Sequence, residues 1–546
     1  MAKNVPALID QHGNALESAP RPRAGLSGDA RNFYPYDAAN YFSAETAGWS
    51  PWIQSPDTEY NDYRDRMVAR SRDLRRNDGW ASGGITGILD EVIGNQFRLS
   101  SQPDYRALAF HNKAFDDKWA AEFKQAFEAR FRVFAEDPNH YCDATQQLSF
   151  VQLMRLALAC KLVDGEDLIK LDYDEEQVGY GAAQYATCIR IIDCDRLSNP
   201  MEQPDTLEMR GGVQINAKSI PLGYHIRRAH QGDWYGAQKS MEWDYLPRRT
   251  DWGRTIVIHD YDRERVDQHR GVPIYVPVMP RMKMITTSDR AELQAAVINA
   301  IFGLTVTSPY DPEGMKDAMD NGASADGFAW YWNKRREFRD QKPLSLQDAR
   351  IMNLFPGEKV EALKSERPNA NHGEVTDYFL RSVAAQLGTT AEGLTKTWSK
   401  GNYSSARASI LQARRSTRRR IGDFATGTAT PIAAAVLEEM MDNGEMPMPK
   451  RGYVPEFPEA RAAYARMRWI GPGQGWIDPT KEAEAAIIRM TAGISTLEQE
   501  CAEQGGDAEE NLDARQREIA EMKERGIPLP EWTGGNGKSK KQEKEE

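Results

Sequence analysis

Cysteine is scarce in this chain: five in 546 residues (Cys142, Cys160, Cys188, Cys194 and Cys501), an odd number at scattered spacings. Such usage suits a reducing cytoplasm and makes a disulfide framework improbable. Cys188 and Cys194 are too far apart for a CxxC pair and no second pair exists, so a zinc site is not expected. Long apolar runs are missing; none approaches the ~18 residues that a membrane span needs. The opening MAKNVPALIDQHGN has neither the apolar core nor the small-residue cleavage site of a signal peptide. Nucleotide-binding signatures are absent too. Gly537-Lys538-Ser539 imitates the end of a P-loop, but Trp532 stands where the first glycine is required. Gly471-Pro472-Gly473-Gln474-Gly475 lacks the GxGxxG spacing, and there is no GxSxG elbow or HExxH pair. These absences set aside P-loop ATPases, dinucleotide enzymes and the commonest hydrolases, and no cofactor is expected.

A basic excess is also missing. The formal net charge of −11 argues against a protein that grips nucleic acid over a wide surface, which needs a domain-wide positive excess. It fits brief or sliding contact, and fits equally well no contact at all. The length exceeds what one core serves, so three or four modules are expected.

Residues 1–60 read as an extended arm, broken by Pro20, Pro22, Pro35, Pro51 and Pro56 and carrying Phe33, Tyr34, Trp49 and Trp52 for docking. Helical periodicity runs from Glu59 to Val92, with Ile85, Ile88, Leu89 and Val92 on one face, and again over Phe115–Ala135 and Ala144–Leu162. Between Asp164 and Asp262 short β-type runs such as ATCIRIID and RTIVIHDYD take over, making an α+β middle. Helix returns over Tyr275–Ile301. A Gly/Pro/Asp-rich interval follows, then an amphipathic helix with Val375, Phe379, Val383 and Leu387 every fourth residue. Near the end, Asp478-Pro479 is a helix start, and Ser495 with Glu498 and Asp507 with Glu510 have capping-box spacing. The tail over 527–546 is read as disordered.

Two polar patterns invite chemistry. His259, Asp260, Asp262, Asp267 and His269 are of types that ligate divalent metals. The plainer reading is a charged loop closing a strand, where Arg263, Arg265 and Arg270 would repel a cation. The metal reading is kept as the alternative, a metal-dependent nucleic-acid-processing enzyme. The second pattern is KTWSKGNYSSARASILQARRSTRRRIGDF (Lys396–Phe424). A polar loop with Lys396 and Lys400 leads past Ser404 and Ser405, either able to cap, into a helix with five arginines in seven residues. On the helical wheel Arg407, Arg414 and Arg418 fall together, Arg415 and Arg419 adjoin them, and Ile410, Thr417, Ile421 and Phe424 form a packing strip. On these residues alone, DNA contact and salt bridges to an acidic neighbouring subunit are evenly matched. An exposed pair contributes only ~0.2–1 kcal/mol, so stabilising one monomer is a weak reason for five arginines.

Six separated segments occur in one order: RSRDLRRNDGWASGGITGILDEVIGNQF from Arg70, GYHIRRAHQGDW from Gly223, RGVPIYVPVMPRMKMI from Arg270, MNLFPGEKVE from Met352, the GNYSSAR stretch, and WIGPGQGWIDPTKEAEAA from Trp469. In that order they resemble the lambda-type portal proteins of tailed phages, from about Arg64 to Gly526. The resemblance implies a ring, usually a dodecamer, at one capsid vertex, through which double-stranded DNA is packaged by a separate terminase and later ejected. It implies an α+β, multi-domain subunit without catalysis, cofactor or metal, found in the virion and, during assembly, in the host cytoplasm. Implied partners are the terminase large subunit, head-completion or adaptor proteins, and the major capsid protein or scaffold, with no membrane.

Carried over by segment, 61–285 would be N-terminal helices and wing, 286–302 and 373–388 stem helices, and 303–372 the clip. Residues 389–403 would be the tunnel loop, 404–468 the long wing or tunnel helix and the segment after it, and 469–526 a helical crown. The resemblance makes Lys396, Lys400, Arg407, Arg414 and Arg418 the DNA-facing cations. It makes Trp330, Trp332, Glu358 and Lys359 the clip's partner-binding residues.

Overall fold

The computed structural model describes residues 48–179, 183–301, 305–307, 325–341, 359–361, 372–397, 403–473, 475 and 478–529. The chain divides into a unit over Met1–Ser55 and one over Pro56–Glu546. In the first, Trp49 and Trp52 are exposed; Phe33 and Tyr34 lie outside the described residues.

The second unit opens with α1 (Pro56–Asn77) and α2 (Gly79–Val92), where the periodicity predicts one continuous helix. Asp78 causes the break. It takes extended backbone and its carboxylate accepts from the Ala81 N–H at 2.9 Å, capping α2. The predicted face of α2 is buried at Ile85, Ile88, Leu89 and Val92. β1 (Arg98–Ser101) precedes α3 (Asp117–Ala135), whose Phe123, Phe127, Phe131 and Phe134 face the core at helical spacing. α4 (Phe150–Val163) starts six residues later than predicted. The Asp143 carboxylate accepts from the backbone of Thr145, Gln147 and Leu148 and holds that stretch as a turn.

The β-rich middle forms two antiparallel sheets. β2 (Glu166–Tyr173) lies between β3 (Thr187–Ile191) and β8 (Val257–Tyr261); β4 (Met209–Arg210), β5 (Val213–Ile215), β6 (Pro221–Arg227) and β7 (Trp243–Pro247) form a meander. The α+β reading stands. α5 (Met279–Ile301) follows, and β9 (Thr305–Thr307) pairs antiparallel with β10 (Lys359–Glu361). Between these strands the Gly/Pro/Asp-rich interval contains α6 (Ala325–Gln341). Its ADGFAWYWNKRREFRDQ is free of proline and made mostly of helix-tolerant residues, a signal diluted when the whole interval is averaged. α7 (His372–Leu387) buries Leu380, Val383, Ala384 and Leu387, while Val375 is exposed, so the buried stripe is rotated from the predicted one.

After α8 (Ala391–Thr395) comes α9 (Tyr403–Phe424), which passes through a π-helical segment, Ala425–Ala429, into α10 (Thr430–Asp442). Ser404 and Ser405 fall in the first turn of α9 rather than at its cap. Pro431 accounts for the widening. It has no N–H, and its ring would press on the carbonyl four residues back, so the helix takes an extra residue just before it. The Thr430 N–H reaches the Ala425 carbonyl. The widened turn rests against β8, where a Cβ on Gly427 would lie 2.3 Å from the Asp260 carboxyl. Alanine would gain about 1 kcal/mol in helix propensity, but displacing Asp260 breaks its 2.8 Å pair with Lys161, and overpacking costs about 1–3 kcal/mol. Gly427→Ala is therefore expected to lower stability, which thermal unfolding against wild type would read.

α11 (Phe457–Tyr464) leads to β11 (Met467–Ile470), which pairs antiparallel with β1 and sets Trp469 on Phe97, ring centroids 4.9 Å apart. α12 (Pro479–Thr491) begins at the predicted Asp478 cap. α13 (Leu497–Glu503) is capped by Thr496 with Gln499, one residue beyond the predicted Ser495 and Glu498. α14 (Ala508–Glu524) has the predicted cap, Asp507. Among the described residues no helix is long and apolar enough to cross a membrane.

Candidate nucleic-acid interface

The loop before α9 is anchored at one end. Thr390 caps α8 by accepting from the Gly393 N–H at 2.9 Å, and Leu394 is buried in the core. Lys396 follows at once, exposed and in the left-handed region (φ 54°). Backbone of that kind costs a non-glycine residue on the order of 1 kcal/mol. Lys400 lies outside the described residues.

α9 is held to α2 by the Thr417 hydroxyl, 2.9 Å from a Glu91 carboxylate oxygen, and ends on Phe424, buried with its ring centre 6.1 Å from that of Phe97. The predicted packing strip is therefore the buried side. Of the cations, Arg407 is half-buried, and Arg414 donates to the Gly475 carbonyl at 3.1 Å. Arg418 pairs with Glu503 at 2.9 Å and Arg419 with Asp423 at 2.8 Å, both in solvent. Arg420 is tucked in, and burial, then its neighbour Arg419, lower its pKa. So Arg414 and Arg418 meet the C-terminal segment, while Arg415 is exposed and pairs with no described residue.

Trp330 and Trp332 are both exposed on α6, and the Arg335 guanidinium lies 5.1 Å from the Trp332 ring centre. Lys359 stands opposite Thr307 in the β9–β10 ladder; Glu358 is outside the described residues.

The predicted metal-type cluster does not come together. His259 is hydrogen-bonded to Glu166 at 3.0 Å, and His269 to Asp57 at 2.8 Å. Asp260 and Asp262 both face Lys161, and Asp267 occupies a left-handed turn. With both histidines, Asp260 and Asp262 engaged elsewhere, the residue basis of the metal-dependent enzyme is removed. Among the described residues the one group close enough to share an ion is Asp193, Asp195 and His230. Arg72 already fills it, hydrogen-bonded to Asp193 and 3.7 Å from Asp195.

What organises this region is a residue the sequence did not single out. Glu166, fully buried at the start of β2, accepts from Arg64 at 2.7 Å, Arg270 at 3.0 Å, His259 at 3.0 Å and the Gly271 N–H at 2.9 Å. Burial opposes its charge, but Arg270 and Arg64 more than offset this and hold its carboxyl well below the usual range. Burial keeps His259 below its usual pKa despite Glu166, so the neutral ring donates to the carboxylate. No local pattern announces this site: the partners lie about a hundred residues away on either side. Beside it, Asp167 and Asp260 share the Thr428 hydroxyl of the π segment, at 2.8 and 3.2 Å. Burial first, then Asp260, raise the Asp167 pKa.

The family model for "Phage portal protein, lambda family" matches residues 42–420, from before α1 into α9. The chain belongs to the lambda family of phage portal proteins. It is 28% identical to the "Portal protein" of Escherichia phage N15, over 97% of this chain and 95% of that one. Identity to "Portal protein B" of Escherichia phage lambda is also 28%, over 90% of each. Among solved structures, a chain from the neck of an empty gene transfer agent particle aligns with a TM-score of 0.43 and 12% identity, covering 79% of this portal chain and 92% of that one.

Proposed function

We propose that this portal chain assembles into a ring, a dodecamer, at one capsid vertex and conducts double-stranded DNA inward during packaging and outward at ejection. The family match over 42–420 carries this reading. In it, a terminase docks on the ring first and head-completion proteins later, both at the β9–β10 and α6 region through Trp330, Trp332, Glu358 and Lys359. Capsid protein or scaffold surrounds the ring, and the subunit works in the virion without catalysis of its own.

The passage is lined by the loop over 389–403. Lys396 and Lys400 face DNA, and Arg407, Arg414 and Arg418 continue the line, the last two while also steadying the C-terminal helices. A sparse set of cations suits sliding. B-DNA carries one charge per ~1.7 Å, and a wholly basic lumen would hold it still. The net charge of −11 supports the same view.

Lys396→Gln with Lys400→Gln tests the loop. Rings should form as in wild type, while packaged or retained DNA changes several-fold. DNA binding by the ring should lose about 0.9 of its log–log salt slope per phosphate contact removed. Normal packaging and retention by the double variant would take the loop out of the function.

A further inference from the structure

α9 has a second outward strip that the proposed DNA line does not use. Ala408, Leu411, Arg415, Arg419 and Gly422 recur every three or four residues and all are exposed. Leu411 is half in solvent, and nothing lies within 4 Å of where a Cβ on Gly422 would be. The strip is thus a leucine and two arginines between small residues that allow close helix approach.

A surface of matching chemistry lies on the C-terminal helices. α12 has no buried residue, and Glu484, Ile487 and Ile488 project from one face of it, continued by Ile494 and Leu497. A helix of that length is marginal in water without a packing partner. Residues 478–526 hold 13 acidic and 6 basic side chains, the opposite sign to α9. Within one chain these helices already meet α9 on its other strip, through Glu503 and Arg418, which leaves the Leu411–Arg415 strip and the α12 isoleucines both uncovered.

We propose that α12 and α13 of one copy dock on the Ala408–Gly422 strip of the next. Leu411 packs on Ile487 and Ile488, and Arg415 and Arg419 face the α12 carboxylates, Glu484 foremost. The occupant is a second copy of this chain rather than nucleic acid. Phosphates would satisfy the arginines but leave Leu411 and three isoleucines wet, whereas the acidic, apolar face of α12 answers both. Because the two surfaces differ, the contact is heterologous and repeats head to tail, closing a ring when the rotation allows. The inference rests on the ring reading above.

Charge reversal tests it in the full-length chain. Arg415→Glu alone and Glu484→Lys alone should each raise the concentration at which rings form about tenfold or more, since like charges then face each other. The two together in one chain should restore it. Thermal unfolding of each variant confirms folding. Independently, Leu411→Cys with Ile488→Cys should give, on oxidation, a ladder of covalent oligomers on a non-reducing gel. Wild-type rings, unchanged rings for R415E and no ladder would overturn the proposed surface and leave the ring reading standing. Rings intact but weakened in DNA binding for R415E would give the strip to nucleic acid instead. A wild-type chain that forms no rings would defeat the ring reading itself.

Discussion

Replacing Glu166 by glutamine is expected to cost about 3–5 kcal/mol, the range seen when one partner of a buried ion pair is removed. The amide keeps the shape but leaves Arg64 and Arg270, both buried, facing one another without an anion. Domains hold only about 5–15 kcal/mol in total, so the E166Q chain should appear largely insoluble or melt far below wild type. A change under about 1 kcal/mol in denaturant unfolding would show that solvent reaches the site. The pH dependence follows from the direction of the shift. A carboxylate whose folded pKa is depressed contributes its stability in full above its unfolded value, about 4.3, and loses it as pH falls through the folded pKa. Wild type should therefore lose its margin over E166Q progressively below about pH 4, with no difference in slope between them at neutral pH.

Gly271→Ala should be nearly as damaging, at about 3 kcal/mol or more. Its Cβ would sit 2.0 Å from the Gly165 carbonyl oxygen and 2.7 Å from the Tyr261 Cβ. Neither neighbour is the free end of a flexible side chain, so the strand start and the segment after Arg270 must part. Parting them removes the 2.9 Å bond from the Gly271 N–H to Glu166. The two substitutions act on one site, and the double variant should lose less than the sum of the singles. Equilibrium unfolding of both singles and the double would measure that coupling; strict additivity would separate the glycine contact from the charge network.

Elements built from local chemistry were legible in the sequence. The α2 face, the phenylalanines of α3 and the Asp478 and Asp507 caps all follow from spacing within one or two helical turns. The misses have local causes as well. Asn77-Asp78-Gly79 is a break written in three residues, overridden by a periodicity that runs through it. Ser495 and Thr496 are adjacent hydroxyls, each followed three residues on by a side chain that completes the box, so spacing alone does not choose between them. The π segment follows from Pro431, which is plain to see, although which turn widens depends on Gly427 meeting β8.

The site divides along the same line. The basic loop and the arginine helix stand out because their cations all fall in one stretch of sequence, between Lys396 and Arg420. Glu166 does not, since Arg64, His259 and Arg270 reach it only after two sheets and several helices have assembled. The same dependence explains the apparent metal cluster. His259 to His269 are close along the chain, but β8 turns His259 toward Glu166, and His269 is drawn to Asp57 at the start of α1. Which arginines serve the chain's own C-terminal helices also awaited the fold, because Glu503 is some eighty residues from Arg418.

The most direct test of the central claim is electron microscopy of the purified full-length chain in negative stain, scored for closed rings with a central hole. The account predicts rings of uniform size, with Lys396 and Lys400 dispensable for forming them. Single particles near 61.6 kDa at every concentration would contradict it.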